Sequence, residues 1–226
     1  MATIYVTRKI PQSGLSRLSA AGHKVVINSA DRILSHDELI ATLSGGSYDA
    51  VLCLLTDQID SEVLQSAGKS CKIIANYAVG YDNIDLSTAA KLGILISNTP
   101  GVLTNTVAEH TVALMLSIAH RITEADRFVR DGKYIGWEPE LLLGNDLSGK
   151  QIGILGLGRI GSRVAHHVVH GFDTHVLYYD IKRNEEFEKE YNARFMATPE
   201  ELLKEADFVS IHVPLLPTTR HLINAE

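Results

Sequence analysis

Hydrophobic and polar positions alternate on a short period through the first hundred residues. Short β-branched runs occupy residues 3–6, 24–27, 50–54, 72–75 and 94–97. Stretches with helical spacing separate them, at 13–21, 36–43, 60–65 and 86–91. Gly22, Gly45, Gly68 and Gly93 close these stretches, where a chain leaving a helix commonly turns through positive φ. Strands alternating with helices predict a parallel sheet covered on both faces.

The pattern changes after the turn cluster Asn98-Thr99-Pro100-Gly101. The longest helical stretch follows, from Thr104 to Arg130. Val107, Val112, Leu114, Met115, Ile118 and Ile122 give it a broad apolar face, and Asp131-Gly132 stops it. Residues 134–143 read as irregular. A second strand–helix series then begins with a strand at 151–155, a glycine-rich turn at 156–161 and a helix at 160–170 stopped by Gly171. A strand at 174–179, a helix at 199–204 and a strand at 207–213 ended by Pro214 complete it. The reading is an α/β protein of two doubly wound parallel-sheet domains. The boundary falls near Gly101, giving residues 1–100 and 101–226.

The turn at 156–161 reads GLGRIG, a G-x-G-x-x-G. Its context gives it meaning. An apolar strand precedes it, a helix begins inside it, and the next strand ends at Asp180, close to the expected separation of about 20 residues. Gly156 permits the tight turn, Gly158 lets backbone approach a pyrophosphate, and Gly161 lets the helix pack against the sheet. The helix N-terminus offers free N–H groups to phosphate. Asp180 accepts hydrogen bonds from ribose hydroxyls and repels a 2′-phosphate, so NAD is expected over NADP. Lys182 and Arg183 weaken that preference. The competing reading is an ordinary βαβ unit whose glycines serve packing alone.

At this point the chain resembles the D-isomer-specific 2-hydroxyacid dehydrogenases, in the style of the glyoxylate or hydroxypyruvate reductases. ANYAVGYDNID (75–85) is similar to the family's substrate-carboxylate loop, and SNTPGVLTNTVAEHTVALML (97–116) to its interdomain hinge and helix. ADRFVRDGKYIGWEP (125–139) resembles the segment leading back to the cofactor domain, LSGKQIGILGLGRIG (147–161) the dinucleotide fingerprint, and ADFVSIHVPLLPTT (206–219) a later cofactor-domain strand. The resemblance implies a flavodoxin-like substrate domain followed by a Rossmann NAD domain, with a ligand cleft between 79–80 and 156–161. It implies that backbone N–H groups of Val79 and Gly80 hold the substrate carboxylate, with Val79 also at the nicotinamide end. Val107 contacts the cofactor, Gly158, Arg159 and Ile160 lie at the pyrophosphate, and Val213 and Pro214 lie beside the adenosine.

The family's chemistry is hydride exchange between nicotinamide and C2 of a small 2-hydroxy or 2-oxo acid. It needs an acid/base group and a carboxylate-binding cation. In the family an arginine in N-x-x-R-G, a glutamate after the next strand and a histidine in T-P-H serve, and none of these patterns occurs here. They are expected beyond Glu226, so no catalytic residue is assigned within the chain. Three Rossmann strands are read where six are expected, which makes the NAD domain incomplete. The alternative function is a catalytically inert dinucleotide-binding or scaffold protein. Substrate selectivity is expected from the loop at 54–57 and from residues past the end.

Composition changes this picture little. Of 226 residues 45% are hydrophobic and 21% charged, and the net charge is −6, with one glutamate-rich run at 184–190. Neither a basic balance nor a basic patch is present, so no nucleic-acid or membrane-surface partner is expected. The opening MATIYVTRKI lacks a secretion signal's long apolar stretch, and a cytoplasmic location is expected. Cys53 and Cys71 read as buried, reduced thiols. His166 and His170 share a helical face without an evident third ligand, so no metal is expected. His110 and His120 read as surface groups and His212 as structural. Asp82 and Asp85 read as turn and capping groups. Phe128, Tyr134, Ile135 and Trp137 after an unusually apolar helix predict a homodimer.

Overall fold

The computed structural model describes residues 1–224; Ala225 and Glu226, the close of the second expected domain, lie outside them. Contacts divide the chain into two compact units, Met1–Gly101 and Val102–Glu226.

The first unit runs β1 (Thr3–Val6), α1 (Gln12–Ala20), β2 (Lys24–Ile27), α2 (His36–Gly45), β3 (Ala50–Cys53), α3 (Ser61–Ser66), β4 (Ile73–Asn76), α4 (Leu86–Leu92) and β5 (Leu95–Ser97). Its parallel sheet has the order β2-β1-β3-β4-β5, the flavodoxin-like winding. Alternate side chains leave opposite faces of a strand. Accordingly Tyr5 packs with Val51, Cys53, Ile74 and residues of α2, α3 and α4, while Ile4 and Val6 pack with Leu15 of α1. Side-chain caps fix where several helices start. Ser35 forms a capping box with Glu38, and Asp60 and Asp85 accept first-turn N–H bonds of α3 and α4.

The second unit runs α5 (Thr104–Ala119), α6 (Ile122–Arg130), β6 (Gln151–Leu155), α7 (Arg159–Phe172), β7 (His175–Tyr179), α8 (Glu185–Tyr191), β8 (Arg194–Phe195), α9 (Pro199–Glu205) and β9 (Phe208–Ile211). The sheet order β8-β7-β6-β9 matches the first four strands of the Rossmann order 3-2-1-4-5-6. Residues of α5 and α7 cover one face through Ala108, Met115, Val164, Ala165 and Val168. Leu202 of α9 covers the other, beside Leu155 and Leu177.

Three expectations need correction. The stretch from Thr104 to Arg130 is two helices, not one. Arg121 breaks it at φ 55°. The Ala119 carbonyl freed at the break accepts the Asn145 N–H at 2.8 Å, and Arg121 pairs with Glu124 and reaches the Leu143 carbonyl. Second, α7 passes through Gly171 and ends at Asp173, which takes the left-handed conformation at φ 52°. Phe172 packs against the core and carries the helix past the glycine. Third, the glutamate-rich run is α8, followed by β8, so the sheet has four strands among the described residues rather than three. Asn184 caps α8 and Phe187 is buried beneath it.

A non-glycine residue in the left-handed region costs roughly 1–2 kcal/mol. Asp173→Gly should therefore raise the unfolding free energy by up to about 1 kcal/mol, and Asp173→Val should lower it by about 1 kcal/mol or more. Urea unfolding checks both signs.

Candidate functional site

Three parallel strands of the second unit deliver their carboxyl ends to one place. The Gly156 N–H donates to the Tyr179 carbonyl at 2.8 Å, and the His212 N–H donates to the Leu155 carbonyl at 2.7 Å. This lies between β6 and β9, where the winding of the sheet reverses, the position at which open α/β sheets bind ligands. Gly156 has φ 95°, and a Cβ there would press on the backbone of His212 and Val213, 2.8–2.9 Å away. At Gly161 a Cβ would collide with the Gly156 carbonyl, which fixes the closeness of α7 to the turn. Gly158 is different: a Cβ there would meet nothing within 4 Å. Its φ of −72° suits any residue, so the chain itself does not require glycine here. The open space is what close approach of a pyrophosphate needs. No side chain caps α7, which leaves the first-turn N–H groups of Arg159 and Ile160 available to phosphate. Ser162 Oγ donates to the Leu157 carbonyl at 3.1 Å and steadies the turn.

Asp180 follows β7 and is bonded to the glycine turn. Its Oδ2 accepts the Leu157 N–H at 2.7 Å, tying the acid to the glycine turn. Oδ1 has only a long contact, 3.4 Å, from the Lys182 N–H, so it remains able to accept from a ribose hydroxyl. The two neighbouring cations are not equivalent. Arg183 forms a fork on Glu188 at 2.7 and 2.8 Å, and Glu188 also accepts the Tyr178 hydroxyl. The Arg183 bonds hold the Glu188 carboxyl below its usual range. Of the two, Lys182 alone makes no ion pair among the described residues.

In the first unit, the loop after β4 carries Val79 and Gly80. The Ala78 carbonyl accepts the Thr99 N–H at 2.9 Å, the Val79 carbonyl accepts Asn98 Nδ2 at 2.8 Å, and the Gly80 carbonyl accepts Asn76 Nδ2 at 2.9 Å. All peptides are trans. In a trans peptide the carbonyl and the following N–H point in opposite directions. Pinning three successive carbonyls therefore aims the N–H groups of Val79, Gly80 and Tyr81 away from those anchors. Among the described residues no acceptor meets them. This loop therefore has three successive N–H groups open to solvent or a ligand. Beneath it, Asn83 binds Asn76 at 3.0 Å and the Leu54 and Asp57 carbonyls, while Asp57 accepts from Thr7 and the Leu54 N–H. Asn76, Asn83, Asp57 and Thr7 are all buried.

Other polar groups are less suited to chemistry. Burial, with the Asp57 charge, pushes the Cys53 thiol up to about 12, so it stays protonated. Burial lowers the His212 pKa, and its Nε2 meets Ser210 Oγ at 2.8 Å. His166 and His170 stack 4.4 Å apart against Tyr191; burial and the neighbouring His170 and Arg163 charges keep His166 below its ordinary value. No group of three or more His, Cys, Asp or Glu suited to a metal occurs among the described residues. Val107 lies half-buried near the start of α5, and Val213 and Pro214 follow β9 beside Gly156. Sequence reasoning misses Asn76, Asn83 and Asn98. Their signal is present, as asparagines flanking both sides of the Val79-Gly80 pair.

Two doubly wound units, the second with a glycine turn after its first strand and an acid after the next, define a dinucleotide-binding type of α/β protein. Residues 112–226 match the family model for the NAD-binding domain of D-isomer-specific 2-hydroxyacid dehydrogenases. The chain belongs to that family. It is 45% identical over 224 residues to a glyoxylate reductase of Korarchaeum cryptofilum, covering 99% of this chain and 66% of that one. A solved protein of Thermus thermophilus superposes with a TM-score of 0.87 at 39% identity, covering 97% of this chain and 67% of the other. D-Lactate dehydrogenase from Aquifex aeolicus, solved with NAD and lactic acid, gives 0.80 at 29% identity, with 98% and 63% covered. The chain thus spans about two thirds of the length of the relatives it matches.

The three glycines should separate in experiment. Gly158→Ala should leave unfolding free energy within about 0.5 kcal/mol, because the new methyl meets open space. It should weaken NADH binding at least about tenfold. Gly161→Ala should instead cost about 1–3 kcal/mol of stability from overpacking. Urea unfolding and NADH fluorescence titration read the two effects.

Proposed function

We propose that the protein is an NAD-dependent oxidoreductase that exchanges a hydride with a small D-2-hydroxy or 2-oxo acid, glyoxylate or hydroxypyruvate being suitable examples. One observation carries the reading: the loop at 78–81 leaves three successive N–H groups without an acceptor among the described residues, and a carboxylate is the anion that a 2-oxo acid presents. NAD, when bound, supplies or accepts the hydride at its nicotinamide ring.

The chain's residues bind and orient. Backbone N–H groups of Val79 and Gly80 hold the substrate carboxylate, with Val79 also against the nicotinamide end. Gly156, Gly158, Arg159, Ile160 and Gly161 form the pyrophosphate cradle. Asp180 receives the ribose hydroxyls, and Val107, Val213 and Pro214 furnish apolar walls for the cofactor. Residues 1–100 act as the substrate domain and 101–226 as the NAD domain. We place the protein in the cytoplasm, which suits two buried free thiols. No helix among the described residues is long and apolar enough to cross a membrane.

We also propose a homodimer. Ile118 is 74%, Ile135 95% and Trp137 81% exposed, and Ile122, Val129 and Leu143 add to the same region. Apolar surface of this extent around α6 favours burial against a second copy. Light scattering on the intact protein should give twice the chain mass at micromolar concentration. Ile135→Glu combined with Trp137→Glu should shift it to the monomer. A monomeric unmodified protein contradicts the assignment.

Oxidation of NADH by glyoxylate or hydroxypyruvate, followed at the intact protein, tests the activity. Tight NADH binding with no turnover of any 2-oxo acid would favour the inert dinucleotide-binding alternative. NADH should bind better than NADPH by roughly ten- to a hundredfold, about 1–3 kcal/mol. Asp180→Ser should narrow that gap, and adding Glu188→Gln, which frees Arg183 from its fork, should narrow it further. Equal affinities in the unmodified protein would remove Asp180 from the selecting role.

A further inference from the structure

We propose that Asn98 and Asn76 are positioning residues for substrate binding, and that the Tyr81 N–H is a third donor to the substrate carboxylate beside those of Val79 and Gly80. The inference rests on reading this loop as the carboxylate cradle and deepens it.

Three consecutive peptides are held from behind, each through its carbonyl. One anchor is a backbone N–H, that of Thr99; the other two are the side-chain amides of Asn98 and Asn76. A loop peptide without such an anchor can rotate and present its carbonyl to the anion instead, turning attraction into repulsion. The two asparagines differ in surroundings. Asn76 is 2% exposed and also bonds Asn83, so its loss disturbs the buried network. Asn98, half-buried just after β5, makes the single side-chain bond to the Val79 carbonyl. Asn98 is thus the separable handle on the orientation of the 79–80 peptide. Replacing its amide by a carboxylate of nearly the same shape removes the donor and sets an acceptor against an acceptor. The Gly80 carbonyl is held by Asn76, which turns the Tyr81 N–H away from that side chain and leaves it as a third donor.

The test uses the intact protein labelled with nitrogen-15 and oxalate as an unreactive probe, read by two-dimensional amide spectra. In the unmodified protein the amides of Val79, Gly80 and Tyr81 should shift saturably on titration. Asn98→Asp and Asn98→Ala should each weaken the apparent oxalate affinity at least about tenfold. NADH affinity should stay within about twofold and the remaining amide spectrum should be native, which a general structural defect would not give. Should Asn98→Asp fail to fold, Asn98→Ala carries the same reading. Shifts in the unmodified protein with undiminished affinity in the variants would overturn the positioning role. A stationary Tyr81 amide beside shifting Val79 and Gly80 would overturn the third donor. If none of the three amides responds in the unmodified protein, the cradle reading itself fails.

Discussion

Free backbone N–H groups at strand ends exist only because something else takes hold of the carbonyls beside them. A loop left to itself satisfies its amides internally or with water, and its peptides turn freely. In this chain the two regions that matter are both prevented from doing so. Asn76, Asn98 and the Thr99 N–H fix three carbonyls after β4. Asp180, Ser162 and the crowding of Gly156 and Gly161 fix the glycine turn after β6. Such preorganisation is what allows neutral backbone to hold anions without a charged side chain.

The arrangement also explains why glycine is needed for different reasons at three nearby positions. Gly156 and Gly161 answer to their own chain, one through a positive φ and the backbone of residues 212–213, the other through the Gly156 carbonyl. Gly158 has open space where a Cβ would stand, which is the room that the proposed pyrophosphate contact needs. Asp180 joins the two sets of demands. The carboxylate proposed to read a ribose also holds the Leu157 N–H, so the proposed role in cofactor choice and the shape of the turn meet at one residue.

Much of this was legible in the sequence. The runs at 3–6, 24–27 and 151–155 coincide with β1, β2 and β6, because short apolar runs set between stretches of polar or helical spacing leave little alternative. The glycine turn and Asp180 were legible because their chemistry lies in residue type and spacing. Other features depend on contacts distant in sequence. Nothing local marks the break at Arg121, where Asn145 supplies the partner for a helix carbonyl. The run at 184–190 hid a helix because its charge outweighed one signal, Phe187 with Tyr191 four residues on, whose rings pack 4.6 Å apart. The asparagine anchors escaped notice because an asparagine's role is set by which carbonyl it meets. Asn98 and Val79 lie nineteen residues apart and are brought together by the pairing of β4 with β5.

The proposed function requires two preformed sets of backbone amides in this chain, one for pyrophosphate and one for carboxylate. Amide hydrogen exchange on the intact protein, with and without NADH and oxalate together, addresses it directly. Added protection is expected mainly at residues 79–81 and 158–160, because the Leu157 N–H is already held by Asp180. Protection spread evenly over both units, or none at these two segments, would contradict it.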